Sequence, residues 1–420
     1  MSAQPIPLLI VEDNPMYAEV LQRLLPALGT ELRFDAQWVN TGEKAVEEIR
    51  RRTYDLVLLD YKLPGADGLT VLTQIRSLPA AQQPAVIMLS GMGGEDVAIE
   101  AMKNGAKDYL HKDSLDVPSL LRAITGALER KRLEEQVASY TEELRLKNSQ
   151  MQDDLSMARE IQEAFLPQRY PCFPGDIEPD DSALRFYHRY HPTSAVGGDF
   201  FDVLALSDTE AGVFICDVMG HGVRAALVAA LIRGCVEELK DMAADPGRFL
   251  TEINRLLVTT LRQTRLPMFV SAFYLVADVG AGEIRCANAG HPSPLHLQRD
   301  AGTVEPLQSA GCNPGPALGV FEDSTYPTAR QALAAHDVIV LFTDGLFEVS
   351  GRNDEQYGQE RLLTAVRQRV HQPPAALFDE LLEDIQAFGG GSNAFVDDVC
   401  LVGVEAVRVG IKGRRGSGGR

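Results

Sequence analysis

None of the six cysteines (Cys172, Cys216, Cys235, Cys286, Cys312 and Cys400) sits in a CxxC pair. That absence argues against a structural zinc site and against a disulfide framework. Two of them lie in apolar, strand-like runs, where a thiol packs as a small hydrophobe. A reduced, cytoplasmic setting is therefore expected. No apolar run approaches the length of a membrane span, and the first residues carry no secretory signal, so no membrane partner is expected. Basic charge is also short: Lys and Arg number 40 against 59 Asp and Glu, a formal net charge of -19. Nucleic acid and anionic membranes are disfavoured as partners by that balance. The acidity reads as a solubility feature rather than an acid-specific role. The one basic, Gly-rich stretch, 408–420, reads as a disordered tail. At 420 residues the chain exceeds a single core, and two or three domains are expected.

A second local absence organises the chain. Between Gly126 and Pro167 there is neither Gly nor Pro, and charges are dense. Val137, Leu144, Met151 and Ala158 recur every seven residues, with Leu155 and Ile161 interleaved, which predicts a long helix. Thr141 and Asn148 fall on the other seam position, so a weak coiled coil or signalling helix is favoured over a solvated spacer, with a homodimer through this helix as one consequence. Before it, residues 7–127 alternate short strands (Leu8–Val11, Asp55–Leu59, Ala85–Leu89, Asp108–Leu110) with helices (Pro15–Leu28, Leu69–Ile75, Val97–Asn104, Val117–Leu128). This alternation predicts an α/β doubly wound domain with a five-stranded parallel sheet and a site at the carboxyl ends of its strands. Pro167 to Pro179 is a Pro-rich break. Beyond it strands dominate, with helices at 225–242, 246–261 and 374–388, which predicts an α+β sandwich of two stacked antiparallel sheets flanked by helices. The expected organisation is 7–127, a helical linker 128–166, 167–407 and the tail 408–420.

Acids stand where strands end. In the first domain these are Glu12 and Asp13 after the first strand and Asp60 after Asp55–Leu59; Ser90 and Lys112 end the later strands. Three acids can hold one Mg²⁺ and leave Asp60 an oxygen free to attack a phosphoryl group, giving an acyl phosphate. Ser90 and Lys112 can then bind the new phosphoryl oxygens. In the second half, Asp199 follows Gly197-Gly198, Asp217 opens Asp217-Val218-Met219-Gly220-His221-Gly222, Asp344 stands in Thr343-Asp344-Gly345, and Asp397-Asp398 lies near the end. Such an oxygen set suits two Mn²⁺ or Mg²⁺ ions rather than zinc. Two ions bridging a water can hydrolyse a phosphoester without a covalent intermediate. Asp217 is the natural bridging ligand, assisted by the Val218 carbonyl. Asp344 and Asp397 would close one site, with Asp199 and Asp398 as additional or water-mediated ligands. His221 reads as a general acid, a phosphate-orienting group or a satisfied turn histidine. For His291, in Asn288-Ala289-Gly290-His291-Pro292, a structural turn role is favoured.

Residues 7–127 resemble the receiver domain of bacterial response regulators, through Val11-Glu12-Asp13-Asn14, the run from Asp60 to Gly68, Ser90-Gly91 and Tyr109-Leu110-His111-Lys112. The resemblance implies that Asp60 accepts phosphate from a sensor histidine kinase and that Glu12, Asp13 and the Lys62 carbonyl hold Mg²⁺. It also makes Ser90 and Tyr109 a switch pair. Gly91 stands where Ala is commoner. Residues 155–405 are similar to the metal-dependent, PPM-type protein serine/threonine phosphatases in their bacterial SpoIIE-like branch. The similarity rests on Ala158-Arg159-Glu160-Ile161-Gln162 with Leu166-Pro167, on Val196 to Asp202, and on the Gly-marked aspartate motifs above. It implies a phosphoserine or phosphothreonine substrate on a STAS-type anti-sigma-factor antagonist. The expected function is receiver-gated dephosphorylation of a protein. A non-catalytic adaptor that binds a sigma-factor regulator, and a small-molecule phosphatase, are the competing readings.

Overall fold

The computed structural model describes residues 4–29, 32–91, 95–262, 268–307, 314–351, 355–391 and 394–411. Cys312 and the end of the basic tail, 412–420, lie outside the described residues. The chain divides into two compact units, Met1–Ser149 and Gln150–Arg420.

The first unit runs β1 (Ile6–Val11), α1 (Pro15–Leu24), β2 (Phe34–Val39), α2 (Gly42–Arg51), β3 (Leu56–Asp60), α3 (Gly68–Arg76), β4 (Ala85–Ser90), α4 (Glu95–Lys103), β5 (Asp108–His111) and most of α5 (Val117–Glu163), whose last turns belong to the second unit. Its strands form one sheet in the order β2-β1-β3-β4-β5, every neighbouring pair parallel. Both faces are covered. Leu9, Val11, Val57 and Leu59 pack with Ala45, Ile49, Val71 and Ile75 of α2 and α3. Leu8, Ile10, Leu56 and Leu58 pack with Ala18 and Leu21 of α1 and Leu120 and Ile124 of α5. Burial on both faces is why β1 and β3 read as continuous apolar runs rather than alternating ones. Asn14 and Asp67 start α1 and α3 by accepting the Met16 N–H (3.0 Å) and the Thr70 N–H (2.8 Å). The order reverses between β1 and β3, which opens a crevice at their carboxyl ends.

The five-stranded parallel sheet is as expected, but its strand β2 and the helix α2 were not located in the sequence. β2 is an edge strand, Phe-Asp-Ala-Gln-Trp-Val, only half-buried and without an apolar run. The helix expected at Val117–Leu128 and the linker helix prove to be one element, α5, of 47 residues. Only its first turns are buried, at Leu120, Ala123, Ile124 and Ala127. Val137, Leu144 and Met151 are exposed along it.

The second unit contains β6 (Leu184–His191), β7 (Phe200–Ala205), β8 (Glu210–Val218), α6 (Val223–Glu238), α7 (Pro246–Leu261), β9 (Val270–Asp278) and β10 (Glu283–Ala289). It continues with β11 (Leu295–Gln298), β12 (Thr303–Pro306), β13 (Ala329–Ala332), β14 (Val338–Phe342), α8 (Gly358–Gln368), α9 (Pro374–Phe388) and β15 (Val399–Ala406). One sheet has the order β13-β10-β9-β8-β7 and the other β12-β11-β14-β15-β6. All their ladder pairs are antiparallel. Strand alternation builds four layers. Val213 and Ile215 of β8 meet Ile339, Leu341 and Val402 between the sheets. Phe214 and Cys216, one residue out of phase, face Ile232 of α6 and Phe249 and Ile253 of α7. Val340 and Leu401 face Leu362 of α8 and Phe378 and Leu381 of α9. The strands β7, β11, β12 and β13 and the helix α8 were not singled out from the sequence; β11, β12 and β13 are only four residues each. No helix among the described residues is long and apolar enough to cross a membrane.

Candidate functional site

In the first unit the crevice gathers the acids. Glu12 follows β1 and Asp60 ends β3; they are 1% and 3% exposed, while Asp13 is exposed. The three bring carboxylate oxygens within 4.8 Å of one another, the only such trio among the described residues. Lys112, just after β5, reaches across with its ammonium 2.6 Å from Glu12 Oε2 and 2.9 Å from Asp60 Oδ2. Burial raises the Asp60 pKa, while Lys112 and the Lys62 N–H lower it. Glu12 is raised likewise, by burial first. Ser90 is buried at the end of β4, and Tyr109 lies half-buried in β5, its register partner being Met88. Asp13 and the loop Tyr61 to Asp67 line a cavity of about 530 Å³. Gly68 keeps that loop close: a Cβ there would stand 2.9 Å from the Tyr61 Cα.

Two residues of this crevice carried no sequence signal. Tyr17 of α1 lies under the Lys112 ammonium, 4.6 Å from the ring centroid. Trp38 of β2 donates its indole N–H to the Glu12 carbonyl at 2.9 Å.

In the second unit, both sheets deliver acids to one end of the sandwich. Asp217 is the penultimate residue of β8 and pairs with Ser271. Asp199 precedes β7, Asp344 is the second residue after β14, and Asp398 precedes β15. Asp199 is buried, and Thr343 Oγ1 donates to its Oδ2 at 2.7 Å while accepting the Cys400 N–H at 2.9 Å. Asp398 is also buried. Its Oδ1 accepts from the Thr193 N–H (2.8 Å) and Oγ1 (3.1 Å), and its Oδ2 from the Gly198 N–H (2.7 Å). Asp397 accepts only the N–H of Asp398, at 2.8 Å, among the described residues, and so keeps more lone pairs for a ligand role. Gly345 lets the Asp344 turn lie on the Asp398 backbone; a Cβ would collide with the Asp398 carbonyl and stand 3.0 Å from that of Asp397.

The acids oppose one another's ionisation. Burial, then the charges of Asp344 and Asp397, pushes Asp217 up to about 7. Asp199 is held well above the usual carboxylate range by burial and by Asp217, and Asp344 is raised by burial, Glu348 and Asp397. No lysine or arginine stands among these contributors. Buried and half-buried carboxylates with no basic partner among the described residues fit oxygen-bound divalent cations, which relieve the repulsion. Unlike the first crevice, no three described acids here converge within 4.8 Å, so the ring is wider.

The two histidines differ sharply. His221 is exposed in the loop after β8, between Gly220 and Gly222, both at positive φ (86° and 81°). His291 is buried, bracketed by Asn288 at 2.9 and 2.8 Å, and its Nδ1 meets Ser271 Oγ at 2.8 Å. Burial pushes its pKa down to about 3, so it is neutral. Thr343 and Thr193 were missed as site residues. Thr343 stands inside a quoted motif, so a hydroxyl beside an acid was a usable signal; Thr193 had none. Replacing Thr343 by Val leaves buried Asp199 without its hydroxyl donor and is expected to destabilise the unit by about 1–3 kcal/mol. Urea unfolding of the variant measures this, and a loss below about 0.5 kcal/mol contradicts it.

Comparison with known proteins agrees with this geometry. Residues 8–125 match the family model of the response regulator receiver domain, and residues 207–407 match that of stage II sporulation protein E (SpoIIE). Chemotaxis protein CheY of Bacillus subtilis (strain 168) is 34% identical over 121 residues, covering 29% of this chain and 96% of CheY. Phosphoserine phosphatase RsbU of the same organism is 26% identical over 218 residues, covering 51% of this chain and 60% of RsbU. The SiaA-PP2C domain of Pseudomonas aeruginosa superposes with a TM-score of 0.53 at 22% identity, covering 62% of this chain and 98% of that domain, a likeness of fold. The chain spans about half the length of the first curated relatives it matches. The chain belongs to the response-regulator family, its receiver domain joined by a long helix to a SpoIIE-type domain of the PPM phosphatases.

Proposed function

We propose that this response regulator hydrolyses phosphoserine or phosphothreonine on a protein, under control of phosphoryl transfer to Asp60. The observation that carries it is the ring of buried and half-buried, mutually repelling carboxylates in the SpoIIE-type domain, with Asp217 held near 7. Asp217, the Val218 carbonyl, Asp344 and Asp397 would hold two Mn²⁺ or Mg²⁺, with Asp199 and Asp398 supporting them. When bound, the ions supply a water of lowered pKa and neutralise phosphoryl oxygens. Asp199 and Asp398 are fixed by Thr343, Thr193 and Gly198, which pre-orders the ring before any substrate arrives. His221, exposed at the rim, is free to meet a phosphoryl group or leaving hydroxyl. Exposed Met219, Val223 and Leu227 beside it suit a protein surface better than a small phosphoester.

In the receiver, Glu12, Asp13, Asp60 and the Lys62 carbonyl would hold Mg²⁺. Lys112, already paired with Asp60, would follow the phosphoryl oxygens, and Ser90 with Tyr109 would report them. The phosphoryl donor is a sensor histidine kinase. The relatives RsbP and RsbU are phosphoserine phosphatases by name. Together with the family resemblance they support a phosphorylated STAS-type anti-sigma-factor antagonist as substrate. The helix α5 would carry the signal through its exposed stripe. Leu144→Asp with Met151→Asp is expected to leave hydrolysis intact and remove its dependence on receiver phosphorylation. Retained dependence in a phosphate-release assay contradicts a role for the stripe.

The test of the activity is Mn²⁺-dependent phosphate release from a phosphoserine-bearing STAS protein. Release by the full chain, absent in Asp217→Asn, supports the proposal. Tight binding without release favours the adaptor instead, and release confined to small phosphoesters favours a small-molecule phosphatase.

A further inference from the structure

We propose that Gln162, in the last turn of α5, is a positioning residue for the metal ring of the phosphatase domain; this rests on the metal-site reading above. Its side-chain amide uses both ends on one residue. Gln162 Nε2 donates to the Gly197 carbonyl at 2.7 Å, and Gln162 Oε1 accepts the Gly197 N–H at 2.9 Å. Two antiparallel hydrogen bonds fix both the place and the tilt of that peptide segment. The next residue, Gly198, donates its N–H to Asp398 Oδ2 at 2.7 Å, and the one after is Asp199. Gln162 is thus one residue from a donor to one acid and two residues from another.

The loop has no room to relax. A Cβ on Gly197 would lie 2.5 Å from Asp398 Oδ2 and strike the Tyr190 hydroxyl. A Cβ on Gly198 would lie 2.9 Å from the Val218 carbonyl oxygen and 3.1 Å from the Ala225 Cβ. The Gly197-Gly198 segment is therefore wedged between Asp398 and the Val218 carbonyl, both candidate ligands. Any displacement at Gly197 is passed to both.

The fold does not depend on this clamp. Just beyond it, Phe165 packs against the α6 and α7 core and lies 4.9 Å beneath the Arg233 guanidinium, and Leu166 is buried between the sheets. Gln168 closes the end of α5 separately, donating to the Glu163 carbonyl at 3.1 Å. Removing the Gln162 amide loosens the loop while these anchors hold the chain in place. Residues that orient metal ligands from outside typically change metal affinity by about 10–100-fold when replaced.

The experiment is calorimetric titration of the full chain with Mn²⁺, following the binding that Asp217→Asn abolishes, alongside melting in EDTA. Gln162→Ala, which loses both hydrogen bonds, and Gln162→Glu, which keeps only the acceptor and sets a carboxylate oxygen against the Gly197 carbonyl, are expected to weaken this binding at least about tenfold. Gln168→Ala is expected to leave it unchanged, and all three melt like wild type without metal. Wild-type affinity in Gln162→Ala, with Asp217→Asn inactive in binding, overturns the inference and leaves the metal site standing. Weakened binding that only follows a matching fall in metal-free melting temperature makes Gln162 structural and also overturns it. Absence of any Asp217-dependent Mn²⁺ binding in wild type overturns the metal-site reading and this inference together.

Discussion

Asp217→Asn is expected to raise the melting temperature of the metal-free protein at pH 7.5 while abolishing phosphoprotein hydrolysis. The two effects have one cause. Burial, then the charges of Asp344, Asp397 and Asp398, hold the Asp217 pKa near 7 against a hydrogen bond with Asp199 that lowers it, and no lysine or arginine stands among these contributors. A carboxyl held near 7 in the folded state and near 3.8 in the unfolded state binds its proton more tightly when folded. Folding is therefore unaffected by this group below about pH 4 and is progressively opposed as pH rises to about 7, with the full penalty above that. The difference corresponds to at most about 4 kcal/mol, and because neighbouring acids share it, about 1–3 kcal/mol is expected from one substitution. In a domain of this size that is a rise of about 2–10 °C. The gain should vanish when the melt is repeated near pH 4. Added Mn²⁺ should stabilise wild type and leave the variant unmoved. Scanning calorimetry in EDTA reads the effect, and a variant that melts lower than wild type at pH 7.5 contradicts the repelling-ring account. Catalytic loss is expected to exceed about 1,000-fold, since Asp217 would help hold the ions that supply the nucleophilic water and neutralise the phosphoryl oxygens.

Asp60→Asn is expected to eliminate covalent phosphate from the receiver. Asp60 is 3% exposed, held by the Lys62 N–H and by Lys112 at 2.9 Å. Asn matches its shape, so the crevice stays assembled, but an amide oxygen is no nucleophile toward a phosphoryl group. Acetyl phosphate with Mg²⁺ should label wild type with an acid-stable, hydroxylamine-labile phosphate, and label Asp60→Asn at least about 100-fold less. The ratio of phosphatase rates with and without a beryllofluoride phosphate mimic should fall to one in the same variant. Labelling that persists would place the acceptor elsewhere.

The order of these residues along the chain made much of this arrangement legible. Leu56–Leu59 is apolar on both faces because helices cover both faces, so the strand and the acid that ends it stand out together. Val213 to Cys216 marks β8 in the same way, and Asp217 follows. Edge elements were harder. β2 is half-solvated and carries Asp35 and Gln37, and β11 to β13 are four residues each, too short for a periodic pattern. The supporting contacts were hidden for another reason. Thr193 touches Asp398 across 205 residues, and Gln162 touches Gly197 across 35, so only the fold brings them together. Tyr17 lies beneath Lys112, far along the chain, for the same reason. The sequence leaves His221 open between functional and turn roles and favours a structural role for His291, and burial separates them: one is exposed, the other sealed by Asn288 and Ser271.

The central claim is that the receiver controls a metal-dependent phosphatase in the same chain. The most direct measurement is the initial rate of phosphate release from a phosphoserine-bearing STAS protein by the full chain, in Mn²⁺, before and after adding beryllofluoride. The account predicts release that requires Mn²⁺ and Asp217 and a rate that changes on beryllofluoride only when Asp60 is present. Equal rates before and after, or release that survives both EDTA and Asp217→Asn, would contradict it.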